Sequence, residues 1–101
     1  MIDLYNIISD KTVEEIQNNK TYKVIFILNE MSWWSCPGDS NDMPDMDKRR
    51  EYFNTINEYA LKNNINISCN ELLNPDYTNW IEFLSYLINK LECLLISDLD
   101  H

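Results

Sequence analysis

Lys23-Val24-Ile25-Phe26-Ile27-Leu28 is the most apolar run in the chain, and how it folds decides the architecture. It is dense in β-branched and aromatic side chains and alternates poorly, the pattern of a strand buried on both faces. Burial on both faces requires an element packed on each side, as in a small α/β layer. A helix competes for the same residues, because Val24, Ile27, Leu28 and Met31 also fall at helical spacing. The two β-branched isoleucines and the valine favour the strand. The expected fold is therefore α/β or α+β, one small domain spanning residues 1–101, with helices packed on a two- or three-stranded sheet centred on residues 23–28. An all-α packing is the alternative.

Outward from that run the other elements follow. Ile2, Leu4, Tyr5, Ile7 and Ile8 suggest a short helix. Thr12 can cap a second one, with Glu15 three residues on completing a capping box. Asn18-Asn19-Lys20 ends it. On the other side, residues 29–43 read as a long loop turning at Pro37-Gly38. Pro44 suits the first turn of a helix whose inward stripe is Phe53, Ile56 and Ala60, flanked by Tyr52 and Tyr59. That helix frays at Asn63-Asn64. Ile65-Asn66-Ile67-Ser68-Cys69 alternates as a short strand does. Asn74-Pro75-Asp76 breaks the chain, and Asp76 or Thr78 caps a last helix running to about Leu94. Its stripe is Trp80, Leu84, Leu87, Ile88 and Leu91, with Asn79, Glu82, Ser85 and Asn89 opposite. Leu94-Leu95-Ile96 is a candidate third strand, and Ser97–His101 a loose acidic tail.

Charge sets the limits on function. Seventeen acids against eight Lys and Arg give a net charge of −9. That balance disfavours nucleic acid and anionic membrane surfaces, and the only basic cluster is Lys48-Arg49-Arg50. It favours rapid capture of a basic partner. No apolar run approaches a membrane span. The opening Met1-Ile2-Asp3 lacks the basic and apolar regions of a secretory leader, and three unpaired cysteines suit a reducing compartment, so the expected location is the cytoplasm.

Tests for chemistry fail one by one. Cys36, Cys69 and Cys93 form no CxxC pair and the lone His is the last residue, so no zinc site is written. The loop Asp39–Pro44 has Met43, Pro44 and Arg50 where a calcium loop needs an oxygen ligand, Gly and Glu. No Ser or Cys pairs with a His base, and a single Gly cannot build a phosphate loop. Neither a cofactor nor an enzyme is expected. The entry Trp34-Ser35-Cys36-Pro37 resembles that of a thioredoxin-type site, but the resolving cysteine is replaced by Asp39. Asp39 and Asp42 would raise the Cys36 thiol pKa rather than lower it. A monothiol redox protein is thus the least favoured reading, behind an acidic protein-binding adaptor.

What remains is Trp33-Trp34 followed by Asp39, Asp42, Asp45 and Asp47 with no base among the four aspartates. Continued alternation would send one Trp ring outward, where Trp serves often as an interface anchor. Asp45 and Asp47 also suit the positive end of the following helix. A small acidic chain with an aromatic-plus-aspartate loop resembles bacterial toxin-immunity proteins of the bacteriocin or contact-dependent growth inhibition type. That resemblance implies a basic protein partner, a cognate toxin such as a nuclease, whose active site the acidic surface covers. It implies nothing about the fold.

Overall fold

The computed structural model describes residues 4–34, 44–67 and 80–99. They form five helices: α1 (Leu4–Ile8), α2 (Val13–Gln17), α3 (Lys20–Trp34), α4 (Met46–Lys62) and α5 (Trp80–Leu99). No strand occurs among the described residues, so the expected sheet on residues 23–28 is wrong and the all-α alternative holds.

The decisive run lies inside α3, the hub against which α1, α2, α4 and α5 all pack. Val24, Ile25, Leu28 and Met31 are fully buried and Ile27 nearly so. Between Val24 and Leu28 no polar residue marks an outward face, so the run cannot be told from a buried strand by periodicity. Backbone hydrogen bonding breaks the tie. A central strand needs partner strands for its N–H and C=O groups, whereas a helix satisfies its own. The two segments expected to pair with it are not available. Leu94-Leu95-Ile96 is the interior of α5, and residues 65–67 are irregular. Against this, the β-branched residues Val24, Ile25 and Ile27 cost the helix only about 1 kcal/mol together.

The signal that starts α3 is Asn19, which the sequence reading took for the end of α2. Its Oδ1 accepts from the backbone N–H of Thr21 at 2.9 Å and of Tyr22 at 3.1 Å. That is an N-cap, worth about 1 kcal/mol. Thr12 caps α2 as expected, its hydroxyl accepting from Glu15 N–H at 3.1 Å. α3 then continues to Trp34, through the first part of the expected loop. The rest of that loop, 35–43, lies outside the described residues.

At its far end α4 is capped, not frayed. Asn64 takes a positive φ of 61°. Ile65 N–H donates to Ala60 C=O at 2.8 Å and Asn64 N–H to Leu61 C=O at 3.0 Å. These two bonds form a Schellman motif, with asparagine in the left-handed position that glycine usually fills. Ile65 and Ile67 pack against the core while Asn66 is exposed. The alternation was read correctly for burial, although it belongs to a helix cap and not to a strand. The position of Ser68 and Cys69, the rest of that expected strand, lies outside the described residues.

α5 supplies the other half of the core through Phe83, Leu84, Leu87, Ile88, Leu91 and Leu95. It runs five residues past the expected end at Leu94 and takes in Ser97-Asp98-Leu99, which had read as a loose tail. Asp98 explains the extension. Its Oδ2 accepts from the Tyr59 hydroxyl of α4 and, at 3.4 Å, from the Thr21 hydroxyl of α3. One carboxylate thus ties three helices together.

Tyr59 carries a testable consequence. Its hydroxyl pKa is raised above the usual tyrosine value, first by burial and then by the hydrogen bond to Asp98; the Thr21 bond acts the other way. A raised pKa in the folded state favours the protonated form, so this contribution is complete below about pH 10 and is lost as pH rises further. Tyr59→Phe is expected to lower stability by about 1–2 kcal/mol at neutral pH. Urea melts at rising alkaline pH should then show a shallower decline for the variant than for the parent. Parallel declines would mean that Tyr59 is not the group responsible.

Candidate partner-binding surface

Helical geometry re-sorts the residues singled out from the sequence. Trp33 occupies the last full turn of α3 and is 59% exposed. Trp34 is the final residue of that helix. Asp39 and Asp42 lie outside the described residues, as does Cys36. Asp45 and Asp47 stand at the start of α4.

The two described aspartates already have structural work. Asp45 is the N-cap of α4, with Oδ1 accepting from Lys48 N–H at 2.9 Å. Asp47 lies in the first turn, where the helix dipole favours a negative charge, and its carboxylate sits 3.9 Å from Arg50. That pair is highly exposed and contributes little to stability. Both aspartates nevertheless leave their charge at the surface, since both are exposed.

The basic cluster dissolves in three directions. Lys48 Nζ lies 3.8 Å from Glu51 and 5.5 Å from the centre of the Tyr52 ring. Arg50 leans toward Asp47. Arg49 turns inward and is 8% exposed; its Nε donates to the Pro44 carbonyl at 2.8 Å, while Nη1 is enclosed without a hydrogen-bond partner. Lys48-Arg49-Arg50 therefore presents no continuous cationic patch.

Sequence reading missed Glu30 and Tyr52. In a helix Glu30 and Trp33 are three residues apart and share a face, with Phe26 one turn further back. In a strand the same spacing would have put Glu30 and Trp33 on opposite faces. The Tyr52 hydroxyl pKa is raised by burial first, then by the negative charges of Glu30 on α3 and Glu51 on α4. Aromatic and acidic side chains therefore occur on both helices, Glu30 and Trp33 on one face of α3 and Glu51 and Tyr52 in α4. The available signal was the helical alternative for residues 24–31, extended by one turn.

Among the described residues no three His, Cys, Asp or Glu side chains come together as a metal ion would require. Cys93, on α5, is an exposed free thiol. No described helix is long and apolar enough to cross a membrane. Comparison with protein-family models, with curated proteins and with solved structures finds no match for this chain.

Proposed function

We propose that this chain is a non-enzymatic cytoplasmic inhibitor of the toxin-immunity type, which neutralises a basic partner by covering its cationic site. The observation that carries this reading is the exposed Trp33 ring. It shares its helix face with Glu30 and leads directly into a segment bearing Asp39, Asp42, Asp45 and Asp47. A large exposed aromatic supplies binding energy, and the surrounding acids supply attraction and orientation. The best-fitting target is a nuclease, whose active site is built to hold phosphates and so also attracts carboxylates. Nucleic acid and membranes are not partners in this reading, and no cofactor is required.

The first test is genetic. The gene directly beside the one for this chain should encode a basic protein that arrests growth alone and is tolerated when the two are expressed together. A harmless neighbour, or a toxic one that this chain does not suppress, would remove the reading.

With that partner in hand, Asp39→Asn/Asp42→Asn should slow association and flatten its dependence on salt, because two charges are lost with little change in size. Stability should stay within about 0.5 kcal/mol of the parent. Stopped-flow association at two ionic strengths measures both rates. An unchanged on-rate would assign these aspartates to solvation alone.

A further inference from the structure

α2 and α4 each pack against α3 and leave a groove of about 230 Å³ between them. Its apolar lining is Phe26 and Ile27 from α3, Val13 and Ile16 from α2, and the Tyr52 ring from α4. α2 has no buried residue at all, and Val13 is 71% exposed. An apolar wall is therefore left facing solvent. A second groove of about 310 Å³ adjoins the first and shares Lys23 and Thr55 with it.

The joined groove is electrically lopsided. Lys20, Lys23 and Lys62 converge on the second part, a concentration of three among the eight Lys and Arg of a chain with net charge −9. None of the three is ion-paired with a described residue. The acid in that lining is Glu58, which is exposed, while Asp98, hydrogen-bonded to the lining residue Tyr59, is already held by Tyr59 and Thr21. At the other end Lys48 is already matched by Glu51. One end is cationic, the middle is apolar, and the far end is neutralised.

We propose that this groove binds an anionic amphiphile, a molecule with one carboxylate or phosphate head and a short apolar tail. The head lies among Lys20, Lys23 and Lys62, and the tail runs over Phe26 and Ile27 against Val13 and Ile16. The tail is short because the apolar part falls below the roughly 300 Å³ at which drug-sized pockets begin. An uncharged apolar molecule would leave the lysines unused, and a simple anion would leave the apolar wall uncovered. This proposal does not rest on the inhibitor reading, although the groove takes Phe26, Glu51 and Tyr52 from the neighbourhood of the Trp33 surface.

The test is an amide NMR titration of the full chain with sodium decanoate, alongside decyl phosphate, decanol and inorganic phosphate. Saturable shifts are expected at residues 13–17, 20–27 and 52–62 with decanoate or decyl phosphate, and the tighter of the two identifies the head group. Decanol and inorganic phosphate should each bind at least about tenfold more weakly, since each lacks half of the recognition. Lys23→Glu should weaken decanoate by roughly tenfold through charge reversal at the head. Lys20→Glu/Lys62→Glu, at exposed positions, repeats that test without touching the shared lysine. Val13→Asp should weaken the same probe through the tail. Decanol binding as tightly as decanoate, inorganic phosphate as tightly as decyl phosphate, shifts centred elsewhere, or unaffected variants would each overturn the proposal.

Discussion

Leu28→Ala is expected to destabilise the protein by about 3 kcal/mol, within the range for emptying a fully buried leucine site. Leu28 has no exposure and sits mid-way along α3, the helix that every other described helix touches. Collapse of neighbours into the void is restricted because α3 is enclosed from several sides. Total stability for a domain of this size is about 5–15 kcal/mol, so one such change removes a large share. The helical register adds a sharper comparison. In a strand Phe26 and Leu28 would share a face, and both faces would be buried. In α3 Phe26 is only partly buried, at the edge of the core. Phe26→Ala should therefore cost clearly less than Leu28→Ala, although phenylalanine is the larger side chain. Urea denaturation of both variants measures the difference. Equal losses, or a larger one at Phe26, would contradict the helical placement of this run.

Trp33→Ala is the change expected to act most strongly on partner binding. An exposed Trp that becomes buried in an interface contributes roughly 2 kcal/mol or more, so affinity should fall about 30-fold. The loss should appear mainly as faster dissociation, because contact energy is recovered only after docking. Stability should change by less than about 0.5 kcal/mol, since the ring makes little use of the core. Surface-binding kinetics with the toxic neighbour, read beside a thermal melt, separate the two effects. Weakened binding with an intact melt supports the Trp33 surface. Unchanged dissociation would move the interface elsewhere and leave the exposed ring without a role in it.

Several features were legible along the chain because their causes are local. Thr12 capping α2 needs only a hydroxyl three residues before a free N–H. Leu84, Leu87, Ile88 and Leu91 form a one-sided stripe, and they are buried as that stripe requires. Ile56 and Ala60 follow for the same reason. Trp33 is exposed, in keeping with one outward ring in the pair, while the Trp34 side chain lies outside what the structure describes. Strand alternation was invoked, whereas helical rotation about α3 delivers Trp33 to the surface.

The sequence by itself therefore determined the acidity, the inward stripes of α4 and α5, and the local cap at Thr12, whereas Pro44, expected in the first turn of α4, precedes its Asp45 cap. Tertiary structure decided whether residues 23–28 are strand or helix. Val24–Leu28 carries no polar residue, and five apolar residues in a row are too few to distinguish one period from the other. The choice then passes to the backbone, which must find partners within itself or in other strands, and the segments needed as strands had joined α5 and the α4 cap. The same choice placed Glu30 on one helix face with Trp33, a grouping that no spacing rule yields until the helix is known. Asp98 shows the limit most plainly: its role depends on Tyr59 and Thr21, 39 and 77 residues away along the chain.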